Sequence, residues 1–118
     1  MKKDPTVYLE DIAESIGRIE EYTRDFTLET FIGSTESQDA VMRRLEIIGE
    51  AVKNLPISLR TSYPDVPWKQ IAGMRDVLIH EYAGVVLDRV WNVVVSDLPP
   101  LKATVLKMQA ELQNKEGV

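Results

Sequence analysis

Leu9, Ile12, Ile16 and Ile19 recur at steps of three and four residues, the spacing that gathers apolar side chains on one face of a helix. Tyr22 and Phe26 extend that face loosely. Asp4-Pro5 supplies an N-cap followed by proline in the first turn, where a missing N–H costs nothing. Together they predict a first helix over about residues 5–25, weakened in its interior by Gly17. A stronger repeat follows Ser34-Thr35-Glu36-Ser37: Val41, Leu45, Ile48, Val52 and Leu55 alternate steps of four and three in a heptad-like seam. Arg43, Arg44, Glu46, Glu50 and Lys53 fall on its other faces, where charges ordinarily stay in water. Pro56 ends the repeat, because proline disfavours the helical region for the residue before it.

Prolines at 56, 64 and 67 mark a connector with room for one short helical turn around Ile57 to Ser62. Asp65-Val66-Pro67-Trp68 then starts a third helix, which should run to about Ala83 with Gly84 as its stop. Asp88 is placed to cap a fourth helix carrying Val90, Trp91, Val94 and Val95. The run Val93-Val94-Val95 would suit a strand, but one strand among helices has no partner. Asp97-Leu98-Pro99-Pro100 opens a last helix with Leu101, Val105, Met108 and Leu112 inside, fraying into a polar tail from Gln113. The expectation is one all-α domain over residues 1–118, a compact bundle of four to five helices.

The length suits a single core, and 44% apolar residues suffice to fill one. The absence of cysteine excludes disulfides, thiolate nucleophiles and Cys-ligated zinc. No apolar run approaches the roughly 18 residues of a membrane span, and Met1-Lys2-Lys3-Asp4-Pro5 leads into no secretory h-region. A cytoplasmic protein with no membrane partner is expected. The net charge is −5, whereas domains built to hold nucleic acid are usually basic. Any RNA contact must therefore be local, assembled by a few arginines.

His80 is the single histidine, so zinc sites of the HExxH type and two-histidine ligand sets are absent, and no metal site is expected. The glycines are scattered singly, which excludes a Walker motif. What remains is the segment from Ile71 to Tyr82. Arg75 has Ile71 and Ala72 behind it and Leu78 and Ile79 ahead, so it lacks a carboxylate three or four residues away and no partner is expected in its own helix. Tyr82 shares its stripe, about 20° around the helix, while His80 lies about 140° away and roughly 7.5 Å along the axis. Asp76, four residues before His80, can hydrogen-bond the imidazole and fix its tautomer. Plainer readings compete. His80 and Asp76 form an ordinary structural pair, Arg75 is an ion-pair partner for Glu46 or Glu50, and Trp68 and Trp91 are core anchors.

Arg75, His80 and Tyr82 stand in the pattern Arg-x4-His-x-Tyr, and here the chain resembles the HepT-like toxins of the HEPN superfamily. The likeness extends to Asp39–Ala51 as the family's second helix and to Pro67–Arg75 as the approach to the site. Asp76 departs from the Asn or other polar residue of many members. The resemblance implies a metal-independent endoribonuclease without cofactor, the toxin of a type VII toxin–antitoxin system. Arg75 and His80 would be catalytic, with Asp76 in support, in a cleft between two copies of a symmetric homodimer. It also implies a minimal nucleotidyltransferase antitoxin that uses ATP to place AMP on Tyr82. A different class of reading stays open at this point: a catalytically silent helical scaffold, or a nucleotide-binding partner of a nucleotidyltransferase.

Overall fold

Asp4 opens helix α1 (Pro5–Tyr22) by accepting hydrogen bonds from the Thr6 amide at 2.9 Å and the Thr6 hydroxyl at 2.8 Å. Those two bonds hold its carboxyl below the usual range. Leu9, Ile12, Ile16 and Ile19 are buried along α1, as their spacing requires. The computed structural model describes residues 4–80 and 87–116, without the side chains of Val77, Ile79, His80, Lys115 and Glu116. The first helix stops three residues before the expected end near residue 25. Thr23 caps it through the Ile19 carbonyl, and Asp25 turns the chain at a φ of 63°, in the left-handed region that short polar residues tolerate.

A five-residue helix, α2 (Leu28–Ile32), follows where the sequence predicts no element. Thr27 caps it, accepting from the Thr30 amide at 3.2 Å. Phe31 fixes it to the core, fully buried with its ring centroid 5.3 Å from that of Trp91. Helix α3 (Thr35–Asn54) begins at Ser34, whose hydroxyl accepts from the Ser37 amide, and ends before Pro56. Its seam of Val41, Leu45, Ile48 and Val52 is buried, and Leu55 continues it past the helix end. The expected turn in the connector is α4 (Ile57–Thr61).

Helix α5 (Trp68–His80) begins at the expected place. Trp68 is buried and its indole N–H donates to the Tyr63 carbonyl at 2.9 Å, which ties the helix start to the connector. The end expected at Ala83 lies outside the described residues. Helix α6 (Leu87–Asn92) holds Asp88 one residue inside its first turn, so Asp88 is not the cap. The three valines then form a π-helical stretch (Val93–Asp97), not a strand, and lead straight into α7 (Leu98–Glu116). Val93 and Val94 pack against the core while Val95 faces outward. Helix α7 continues through Glu116 and does not fray at Gln113. The Tyr63 hydroxyl donates to Glu111 on α7; that bond first, then burial and the carboxylate charge, push the phenol up to about 12.

The described residues contain no strand, and the fold is all-α as expected. Among the described residues there are seven α-helices, more than the expected four to five, because the unforeseen α2 and the short connector turn α4 stand beside α1, α3, α5, α6 and α7. Helix α3 is central: it packs against α1 and α5, with α1 also against α7, and α2 bridges α3 and α6. No helix among the described residues is long and apolar enough to cross a membrane.

Candidate functional site

Ile71 and Leu78 on α5 are buried, and Arg75 stands between them at the helical spacing that points all three toward α3. A cation on a core-facing stripe needs two things: an anion for its head, and room for the base of its stem where the helices meet. Both come from adjacent residues of α3. Gly49 is buried where the helices cross, and a Cβ there would lie 2.9 Å from the Arg75 Cβ and 3.2 Å from the Ile71 carbonyl oxygen. Any side chain at 49 would drive α5 away, so the close approach of the helices depends on glycine at this position.

Glu50 supplies the anion. Its Oε2 lies 2.8 Å from Arg75 Nε, the distance of a charge-assisted hydrogen bond. Glu50 is steadied in turn by Asn54, whose side-chain amide donates to the Glu50 carbonyl at 2.9 Å and approaches Oε1 at 3.4 Å. Of the two partners that the sequence offered Arg75, the fold selects Glu50. Glu46 instead lies 3.5 Å from Arg43, one turn along its own helix. Arg75 also has a weaker contact within α5, with Nη1 at 3.5 Å from Asp76 Oδ1, so the expectation of no partner in its own helix is corrected.

Beyond the ion pair a groove of about 620 Å³ opens between α1, α3 and α5. Tyr8 and Asp11 line one wall, Arg43, Glu46, Glu50 and Asn54 the floor, and Arg75 the far side. Three carboxylates face two guanidinium groups there, so one chain alone presents a slightly acidic surface. Among the described residues no group of three or more acidic or histidine side chains is arranged to hold a metal ion. The His80 backbone belongs to α5, but its side chain and the whole of Tyr82 lie outside the described residues. The expected contact of Asp76 with the imidazole, and the meeting of Arg75 with His80 and Tyr82, lie outside the described residues. Trp68 packs into the core and Trp91 against it, as their reading as core anchors expects.

A model of the ribonuclease HepT-like family matches residues 12–108. The chain belongs to that family. The matched span takes in Gly49, Glu50, Arg75, Asp76, His80 and Tyr82. A relative from Methanocaldococcus jannaschii, named "Gamma-glutamylcyclotransferase and putative RNase", is 52% identical over 99% of this chain and 53% of its own length. The chain thus spans about half of that relative. A relative from Thermococcus cleftensis, named "Probable ribonuclease HepT", is 47% identical over 92% of this chain and 99% of its own. A third, from Caldanaerobacter subterraneus and named "Putative RNase", is 44% identical over 97% and 98% of the two chains. No solved structure matches the chain.

In this HepT-like chain the feature that reading by sequence missed is Gly49. Its signal was present: a residue with no side chain beside Ile48, on the buried side of an otherwise bulky seam. Asn54 gave no comparable signal, since an exposed polar residue in a last helical turn is ordinary.

Proposed function

We propose that this chain is a metal-independent endoribonuclease, the toxin of a two-component system, whose reaction is carried by Arg75 and His80. Membership in the ribonuclease HepT-like family supports this reading. So does the Arg75 side chain, which stays one-third exposed on an apolar stripe with its head at a groove. In the reaction the 2′-oxygen of a ribose attacks the adjacent phosphorus while the bond from phosphorus to the 5′-oxygen breaks. A base takes the 2′-hydroxyl proton, an acid returns one to the leaving 5′-oxygen, and Arg75 meets the charge that gathers on the phosphorane oxygens.

One chain has one histidine and a groove with three carboxylates against two arginines. Two chains related by a two-fold axis would bring two His80 side chains, as acid and base, and a second Arg75 to one cleft. Light scattering at micromolar concentration should therefore return twice the 13.4 kDa chain mass. A monomer would overturn the shared cleft.

The partner in this reading is a minimal nucleotidyltransferase. The Tyr82 hydroxyl oxygen attacks the α-phosphorus of ATP and releases its proton to solvent, the bond to the β-phosphate breaks so that pyrophosphate leaves, and the AMP on Tyr82 is an anion in competition with RNA phosphate. Incubation with that enzyme and ATP should raise the chain's mass by about 329 Da per AMP, with loss of RNA cleavage. Tyr82→Phe keeps the ring and removes the acceptor oxygen, so it should stay unmodified and escape silencing. Silencing of the wild type without a mass increase would refute the role of Tyr82.

The Arg75–Glu50 pair is also what a catalytically silent scaffold would contain. The two readings part on RNA cleavage by the wild-type chain and its loss in Arg75→Ala, neither of which a silent scaffold would show.

A further inference from the structure

An Arg75–Glu50 pair with side chains 33% and 49% exposed adds little to stability, because water screens it from both sides. Its geometric effect is larger. A guanidinium can grip a phosphate side-on, through Nε and one Nη, or end-on, through both Nη nitrogens. Glu50 takes Nε at 2.8 Å, so an approaching phosphate has to be met by the Nη1–Nη2 end, where the exposed Asp76 makes only the long 3.5 Å contact with Nη1. The arginine stem is also fixed at its base, since Gly49 lets the Arg75 Cβ sit against the α3 backbone. Adjacent residues of one helix thus hold both ends of a side chain that belongs to another.

We propose that Glu50 is a positioning residue for RNA cleavage: by holding Arg75 Nε it aims the Nη end of the guanidinium into the groove, and Asn54 steadies Glu50 in that task. This rests on the reading of Arg75 as a catalytic residue. The acceptor oxygen, not the negative charge, does the aiming. Glu50→Gln keeps an oxygen that can accept from Nε, whereas Glu50→Ala leaves only the long Nη1 contact with Asp76 to hold the guanidinium.

The test is steady-state cleavage of an RNA oligonucleotide by wild type, Glu50→Ala, Glu50→Gln and Arg75→Ala, each checked for folding by thermal melting. Glu50→Ala should lower kcat roughly 10- to 100-fold, the cost of a misplaced catalytic group, with KM changed by about twofold or less. Glu50→Gln should restore most of kcat, within about threefold of wild type. The Arg75 Nε–H resonance, assigned by its loss in Arg75→Ala, gives a readout that needs no activity. It should be shifted and protected from exchange in wild type and Glu50→Gln, and unprotected in Glu50→Ala. Wild-type kcat in Glu50→Ala beside an inactive Arg75→Ala overturns the positioning role and leaves the ribonuclease reading intact. So does a Glu50→Gln variant as slow as Glu50→Ala. Full activity in Arg75→Ala removes instead the reading on which the proposal rests.

Discussion

Arg75→Ala is expected to slow RNA cleavage by roughly 10²- to 10³-fold, the usual loss when one donor to a developing oxyanion is removed. His80→Ala should cost roughly 10²- to 10⁴-fold, the range for a missing proton-transfer group. Neither change should unfold the chain. The Arg75 side chain is one-third exposed, and the pair it makes with Glu50 is screened by water. With two His80 side chains in one cleft, wild-type rate against pH should be bell-shaped, its two apparent pKa values belonging to the pair. His80→Ala should flatten that profile. A silent scaffold predicts something else: no cleavage by wild type, and at most a small change in melting for either variant. Cleavage at the wild-type rate by either variant would remove that residue from the mechanism.

Phe31→Ala is expected to cost about 3–5 kcal/mol of folding stability, the range for emptying a buried aromatic site. The ring is fully buried and stacks at a 31° tilt against Trp91, 5.3 Å between centroids. Helix α2 has five residues, too few to hold themselves helical without tertiary contacts. Besides Phe31, it is tied to α3 by the Gln38 side-chain amide, which donates to the Phe31 and Ile32 carbonyls at 3.0 and 2.8 Å. Removal of the ring leaves a cavity between α2, α3 and α6 that those bonds cannot close. Folded chains of this kind hold about 5–15 kcal/mol in all, so the loss would be at least about a fifth of the total. Urea unfolding reads this directly, as a lowered midpoint with an unchanged slope. A loss under about 1 kcal/mol would mean that Phe31 does not anchor α2.

The long helices were legible because each carries its own evidence. Asp4-Pro5 with Leu9, Ile12, Ile16 and Ile19 marks α1, and the seam from Val41 to Leu55 marks α3. Helix α2 was not legible: Leu28, Phe31 and Ile32 cover a single turn, and one turn has no period to detect. Val93-Val94-Val95 has strand propensity, and the lack of any strand to pair with correctly set that propensity aside. For the site, the plainer reading of the sequence paired Arg75 with an anion of the neighbouring helix and named two candidates. Glu46 and Glu50 are one turn apart on the same face of α3, so spacing alone treats them alike. The helix crossing decides between them. It falls at Gly49, because only there can the α5 backbone come close enough to seat Arg75 beside Glu50. Which helices cross, and at which residue, is tertiary information that one strand of text carries only as an unexplained glycine.

The central claim is most directly tested by incubating the purified wild-type chain with an end-labelled RNA in excess EDTA and identifying the new termini. Attack by the 2′-oxygen predicts cleavage at the same rate with and without EDTA, leaving a 2′,3′-cyclic phosphate on one fragment and a 5′-hydroxyl on the other. Cleavage that EDTA abolishes, fragments that carry 5′-phosphates, or intact RNA would contradict it.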